Sequence, residues 1–394
     1  MEAVSSRSSG LISVFLPNER WKVIVMQMPI IDLVSRIKRA QSEMKTFGFQ
    51  GLCLSPGPDL RYFVDYDAKN LERITCLVLG AEIDPVLLVP RLEKLPAESS
   101  GAGRLGLEVR TYGEFDNPYQ IIYEILGDVA EIGVDDRMWA VKAKGIENAF
   151  PNSRVSPAGK FTGYLRSVKS DYEIEALARV SASIDKVHMQ VPNLLKIGRT
   201  ELEIARDIGN LILEHDHARV DFIIVASGPN SASPHHEPTN RVLNAGEVVV
   251  VDIGGTSHEG YCSDCTRMYA MQGVPDEFID NYEILKKAQN LAVESIKPGV
   301  LPSAIDAACR DYLTENNLGE FFIHRTGHGI GVETHEDPYI GSALHEPVIT
   351  NHVFSVEPGF YIEGLYGGRI EDIIAVTADS RISLNHTSRE LIII

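Results

Sequence analysis

Cysteine is scarce in this chain, positive charge is in deficit, and no long apolar run occurs. The five cysteines, Cys53, Cys76, Cys262, Cys265 and Cys309, are scattered over 394 residues. An odd, dispersed set is no disulfide framework. Cys262 and Cys265 form a CxxC, but no second pair completes a zinc ribbon. A redox dithiol would open a helix after a strand, whereas this pair falls inside a strand-like run. All five read as ordinary reduced thiols. Lys and Arg total 37 against 55 Asp and Glu, a formal net charge of −18. The basic surface required by a nucleic acid or an anionic membrane is therefore missing. The apolar runs at 11–16 and 23–31 fall short of the roughly 20 residues that span a bilayer. No basic start, apolar run and small-residue cleavage site follow one another. A cytoplasmic protein without nucleic-acid or membrane partners is the expectation.

What is present suits a two-domain globular protein. Hydrophobic residues make up 44% of the chain, and its length exceeds one ordinary core. Residues 1–28 show no clear periodicity and read as a tail. Residues 29–163 read as a mixed α/β domain: a helix over 30–47, strands near 51–54, 74–79, 85–89 and 132–135, and a polar loop at 94–104. Residues 164–394 read as an α+β domain with an antiparallel sheet and helices on one face. Ser170-Asp-Tyr-Glu173 and Thr200-Glu-Leu-Glu203 are capping boxes that open two helices. Strands follow near 220–226, 248–253 and 261–269, then helices at 276–296 and 302–316. A glycine-rich, strand-like stretch runs from 321 to the end.

The chemistry concentrates in that second part. Asp252 follows four valines, where an unpaired buried carboxylate is costly. Asp264 lies on the next strand, and two carboxylates brought together there require a proton or a cation between them. His324, His328 and His335 fall within twelve residues. Gly327, Gly329 and Gly331 rule out the helical zinc motif that the His324–His328 spacing suggests. They point instead to a closely packed backbone with an imidazole turned into a site. Glu357 and Glu371 stand in strand contexts, and Arg369 shares a strand face with Glu371. His215 and His217 read as exposed helix-end residues. Four carboxylates and one imidazole form a mixed oxygen and nitrogen cage suited to Mn²⁺, Co²⁺ or Zn²⁺.

These motifs occur in order as Asp252-Ile-Gly-Gly, Ser263-Asp264-Cys-Thr-Arg267, Gly327-His328-Gly-Ile-Gly, Val356-Glu357-Pro-Gly and Arg369-Ile-Glu371-Asp372. The chain resembles the pita-bread (M24-type) metallopeptidases, and within them the Xaa-Pro peptidases, prolidase and aminopeptidase P. Gly57-Pro-Asp-Leu-Arg-Tyr-Phe is similar to the creatinase-type N-terminal domain, so the resemblance runs from Pro29 to the end. It implies two divalent ions, manganese foremost, sharing a bridging hydroxide. Asp252 would bind one ion, Asp264 and Glu371 would bridge both, and His328 and Glu357 would hold the other. His235 and His335 match histidines that stabilise the oxyanion, His324 one that lines the proline side, and Arg369 the arginine beside the last ligand. Glu357 would also handle the proton. A homodimer is implied as well. Asp252 and Asp264 stand twelve apart, where the commonest family spacing is eleven; the extra residue is expected at 256–259.

The implied activity is hydrolysis of the bond before proline in short peptides, as an Xaa-Pro dipeptidase. The short gap between Glu357 and Glu371 leans that way rather than toward an Xaa-Pro aminopeptidase. Hydrolysis of a small non-peptide amide, as in ectoine-type hydrolases, is a second reading. A non-catalytic binding protein on the same fold is a third, but such proteins usually lose the ligands that this chain keeps.

Overall fold

A computed structural model describes residues 27–394. The expected tail lies outside the described residues except for its last two. Of these, Met28 is fully buried in the first core, and its carbonyl accepts a hydrogen bond from Arg104.

Residues 51–157 build a mixed six-stranded sheet. Its order is Glu108–Tyr112, Val86–Pro90, Cys76–Gly80, Gly51–Leu54, Glu131–Val134, Arg154–Pro157. Three of the four interior strands, Gly51–Leu54, Cys76–Gly80 and Val86–Pro90, are buried along their whole length, as their unbroken apolar runs require. The two edge strands, Glu108–Tyr112 and Arg154–Pro157, are half-exposed and carry charge. An edge needs no continuous apolar run, so hydrophobic patterning misses both. The stretch 94–104, expected as a loop, is helical over Lys94–Ser99 and Gly101–Arg104. Pro96 sits in the first turn, where its missing N–H costs nothing, and the Ser100 hydroxyl caps the second helix by accepting from Ala102 N–H.

Both capping boxes are present, opening helices Asp171–His188 and Glu201–Glu214. Ile184, Val187, Ile204, Ile208 and Ile212 of these helices pack on Val249, Val251 and Ile253. Alternation along strand Val248–Ser257 therefore turns Val248, Val250 and Asp252 to the opposite side. Val248 and Val250 meet a second core built by helices Asp276–Ser295 and Pro302–Glu315 with strands Val353–Val356 and Asp372–Val376. Each helix pair thus backs its own sheet. The sheets are a four-stranded one containing Val248–Ser257 and a five-stranded one in the order Glu336–Ile340, Gly327–Gly329, Val353–Val356, Asp372–Val376, Arg381–Ser383. No helix among the described residues is long and apolar enough to cross a membrane.

The hairpin bearing the two aspartates keeps one register, from Val248 opposite Ala270 to the bridge of Thr256 with Cys262. The turn spans Ser257 to Tyr261 and has Gly260 at φ +87°. Asp252 lies opposite Thr266. Asp264, two residues before Thr266, therefore shares Asp252's face. The spacing of twelve is absorbed at the tip and leaves the ladder intact.

Buried ion pairs cluster where the two regions meet, and the pair of Arg166 with Asp59 crosses between them. Arg166 donates to Asp59 at 3.1 Å and to Glu333 at 2.9 Å, and Lys169 donates to Glu336 at 2.6 Å. The Lys169 and Glu336 side chains are 0% and 1% exposed. Removing one partner of such a pair strands the other charge in low dielectric. Lys169→Ala is expected to cost about 3 kcal/mol, the low end of that class, because Arg166 Nε remains 3.5 Å from Glu336. The shift of the urea unfolding midpoint measures it, and a loss below about 1 kcal/mol would show the pair to be solvated.

Candidate metal centre

The five side chains singled out as a cage converge between the two sheets. Asp252 projects from Val248–Ser257, and Asp264 immediately precedes Cys265–Ala270. His328 is the middle residue of Gly327–Gly329. A Cβ on Gly327 would lie 1.8 Å from the Ser355 carbonyl oxygen, and one on Gly329 would lie 2.3 Å from that of Asp337. Only glycines let this strand sit so close to its neighbours, and that approach delivers the imidazole. Glu357 follows strand Val353–Val356. Glu371 occupies the break between Tyr366–Arg369 and Asp372–Val376. Arg369 and Glu371 therefore do not share a strand face as expected. Arg369 ends one strand, and the Glu371 backbone is fixed across the sheets by donating its N–H to the Thr266 carbonyl.

Two triads share Glu371: Asp252, Asp264, Glu371 and His328, Glu357, Glu371. In each, one potential ligand atom per residue lies within 4.8 Å of the others. A third triad, Asp264, His328 and His335, meets the same limit. His328 Nδ1 lies 3.1 Å from the Gly329 carbonyl, which can only accept, so Nδ1 is the protonated, donating nitrogen. Its Nε2 then offers a lone pair, 3.3 Å from Glu357 and 3.6 Å from Asp264. Burial, then the charge of His335, pulls the His328 pKa down to about 3. The ring is neutral, as a metal ligand must be.

The carboxylates show the opposite pressure. Burial, then the charges of Glu371, Asp252 and Glu357, holds Asp264 well above the usual carboxylate range. Burial, then Glu357 and Asp252, does the same to Glu371. Glu357 is pushed up to about 7, again by burial first, with Arg369 opposing. One oxygen each of Asp252 and Glu371 is buried without a hydrogen-bond partner. Unpaired buried carboxylate oxygens are rare in native proteins. A cluster of acids with spare lone pairs and a neutral imidazole fits a divalent cation.

Arg369 is the cationic partner inside the centre. It donates to Asp252 at 2.5 Å, to the Tyr361 hydroxyl at 2.7 Å, to Thr266 at 3.1 Å and to the Pro234 carbonyl at 3.3 Å. The Tyr361 hydroxyl lies 2.9 Å from His324 Nε2. Since Arg369 fills the acceptor side of that hydroxyl, its proton goes to His324. Burial lowers the His324 pKa to about 4. His335 is exposed, its ring centroid 4.0 Å from that of His328. His235 is exposed too, and its charge lowers the pKa of both His324 and His335. A cleft of about 440 Å³ opens beside His335, lined by Pro58, Arg61 and Arg137 from the first region.

Sequence reasoning missed three participants. Tyr361 relays between Arg369 and His324, yet nothing near Gly359 marks it. Thr266, inside a quoted motif, donates to Glu371 at 2.8 Å. Arg325 lies over the Tyr339 ring at 4.2 Å, and its charge lowers the pKa of His328, His335 and Glu357. His217, expected at an exposed helix end, is buried, with Nε2 2.9 Å from the Ser263 hydroxyl. Strand His217–Ser227 begins there and draws it beneath the hairpin. The cysteines are free and buried, including Cys262 and Cys265.

Residues 175–378 match metallopeptidase family M24, and residues 36–168 match the creatinase/prolidase N-terminal domain. The chain is 42% identical over 361 residues to the probable dipeptidase PepE of Mycobacterium tuberculosis, covering 91% of this chain and 96% of that protein. It is 31% identical over 366 residues to the Xaa-Pro dipeptidase of Lactobacillus delbrueckii subsp. lactis, covering 90% and 98%. The crystal structure of prolidase from Thermococcus sibiricus superposes with a TM-score of 0.85 at 34% identity, covering 92% and 99%.

A group whose folded pKa lies above its unfolded value binds its proton more tightly when folded. Raising the pH between the two values therefore destabilises the fold. Burial lifts Glu357 from its ordinary 4.5 to about 7, so its own contribution to the stability of the metal-free protein falls as pH rises through that window, against the opposite contribution of His324 and His328, whose folded values are lowered to about 4 and about 3. Thermal unfolding against pH checks it. Glu357→Gln should make the slope of stability against pH more positive, and so should Mn²⁺, which replaces the proton. An unchanged slope in Glu357→Gln would assign the effect elsewhere.

Proposed function

This chain belongs to metallopeptidase family M24, and from that premise we propose that it is an Xaa-Pro dipeptidase, hydrolysing the bond before proline in short peptides. Two divalent ions would be held by Asp252, Asp264, His328, Glu357 and Glu371, with Glu371 and Asp264 serving both. The observation that carries this reading is the pair of three-residue clusters sharing Glu371, whose ligand atoms lie within 4.8 Å, together with the unpartnered oxygens of Asp252 and Glu371. Manganese is the first choice for so oxygen-rich a set, with cobalt and zinc accepting the same ligands. When bound, such ions lower the pKa of a water and polarise the scissile carbonyl.

The protein's own groups would do the rest. His335, which lines the cleft, and His235, exposed and close enough for its charge to lower the His335 pKa, would donate to the oxygen of the scissile carbonyl as charge develops there. Glu357 would pass a proton between the attacking water and the substrate. An imino nitrogen leaves poorly unless it is protonated, and Glu357 would deliver that proton. Arg369 would hold Asp252 and keep Tyr361 donating to His324. His324, kept neutral by burial and tilted against the Tyr361 ring at 5.5 Å, offers a flat face against which a proline ring can pack. The names of the Lactobacillus and Thermococcus relatives support the preference for proline.

A turnover panel of Xaa-Pro dipeptides and Xaa-Pro-Yaa peptides, with metal measured on the same sample, tests the proposal. Dipeptides should be cleaved, cleavage should stop on chelation, and Mn²⁺ should restore it. Cleavage of Xaa-Pro-Yaa instead would make the enzyme an aminopeptidase. Cleavage of neither by the fully metal-loaded protein would discard the Xaa-Pro reading. Asp264→Asn should lose metal and activity together, and full activity in that variant would discard the cage.

A further inference from the structure

The loop formed by residues 228–241 leaves strand His217–Ser227 and carries His235 on its exposed crest. The metal centre holds one side of it. Gly367 N–H donates to the Ser231 hydroxyl at 2.9 Å, and Arg369 donates to the Pro234 carbonyl at 3.3 Å. The other side is held by Glu201, the first residue of helix Glu201–Glu214, whose side chain is 0% exposed. One oxygen accepts from the Ser227 N–H at 2.8 Å, the Ser227 hydroxyl at 2.7 Å and the Asn230 amide at 3.0 Å. The other accepts from the Thr239 N–H at 3.1 Å and the Thr239 hydroxyl at 2.8 Å, and it lies 2.9 Å from His236 Nε2.

Every one of these partners belongs to the loop or to the residue that opens it. Burial works to raise the pKa of Glu201, but the hydrogen bonds from His236, Ser227 and Thr239 outweigh it and hold the carboxyl below its ordinary range. The contacts are therefore charge-assisted, the stronger class. They also bracket one residue. Pro234, just before His235, is tied to Arg369, and His236, just after it, is tied to Glu201. The backbone of His235 is clamped on both sides, while its own ring stays exposed, near enough for its charge to lower the pKa of His324 and His335.

We propose that Glu201 is a positioning residue for His235, fixing the loop so that the imidazole faces the scissile carbonyl rather than solvent. This rests on the reading of His235 given above. A merely structural Glu201 would impair every variant alike, whereas a positioning Glu201 acts through His235 alone. A double-mutant cycle separates the two. Wild type, Glu201→Gln, His235→Ala and the double variant are compared as Mn²⁺-loaded enzymes on Ala-Pro, with kcat, KM and metal content measured. Glutamine keeps the shape but turns one acceptor into a donor facing donors. Glu201→Gln is expected to lower kcat about 10–100-fold, the usual effect of displacing a reacting group by about an ångström. Metal content should be unchanged and KM little moved. In the His235→Ala background the same change should cost less than about twofold.

An equal loss in both backgrounds overturns the proposal, and so does wild-type kcat in Glu201→Gln. Should Glu201→Gln fail to fold, Thr239→Val enters the same cycle. Thr239 is exposed, and the change removes one donor to Glu201. A several-fold kcat loss that vanishes with His235→Ala supports the proposal; no loss, or an equal one, overturns it. If wild type cleaves Ala-Pro but His235→Ala does so equally well, the role of His235 falls and this inference with it. Absence of wild-type cleavage would instead mark the failure of the Xaa-Pro reading.

Discussion

Like-charge repulsion among four buried carboxylates is the constraint around which this molecule is arranged. At roughly 4 Å and an effective dielectric near 20, two such charges repel by about 4 kcal/mol, and Asp252, Asp264, Glu357 and Glu371 make several such pairs. The Arg369 guanidinium sits among them and bonds Asp252 directly. One cation cannot balance four anions. Burial first, and then that deficit, raises the pKa of Asp264, Glu357 and Glu371. Divalent ions held there would remove it without protons, which would make the metal as much a structural counter-charge as a source of reactivity.

The scaffold exists to hold that unfavourable cluster in place. Asp252 is buried because the register of its hairpin leaves no alternative: valines on one face pack against the Asp171–His188 and Glu201–Glu214 helices, and the other face turns inward. His328 arrives on a strand whose flanking glycines permit backbone contacts that no Cβ would tolerate. Glu371 sits in a break between strands, with Thr266 bonding its side chain and its backbone alike. Each ligand comes from a different element, so the centre is rigid only if both sheets are rigid. Two separate helix-backed cores supply that rigidity.

Much of this was legible in the sequence, for identifiable reasons. A carboxylate after four valines, a histidine between glycines and glutamates after β-branched runs each break a local rule, and such violations gather at sites. The capping boxes at Ser170 and Thr200 are local hydrogen-bond patterns and need no tertiary context. What stayed hidden depends on that context. The edge strands Glu108–Tyr112 and Arg154–Pro157 carry no apolar run because one side meets water. The helices within 94–104 look polar because they lie on the surface. His217 resembles a helix-end residue until the strand after it is known to pass under the Asp264 hairpin. Tyr361 and Glu201 are ordinary residues whose roles come only from what the fold brings to them.

The placement of the histidines follows from the same economy. His328 is deep, neutral and fixed by the Gly329 carbonyl, as a ligand requires. His324 is partly covered and is held neutral by burial, with the Tyr361 proton on its Nε2. His235 and His335 remain exposed, where on the reading proposed above a substrate would enter. The loop bearing each is tied to a buried carboxylate, Glu201 beside His236 and Glu336 next to His335. Exposed side chains on unanchored loops would sample many rotamers, and catalysis would pay that entropy at every turnover. Anchoring the backbone through buried charge while leaving the ring free preserves access without surrendering position. The partners of Glu336, Lys169 and Arg166, lie where the first region meets the second. Asp59 of the first region bonds Arg166 in turn, so the network that holds Glu336 beside His335 extends into the first region.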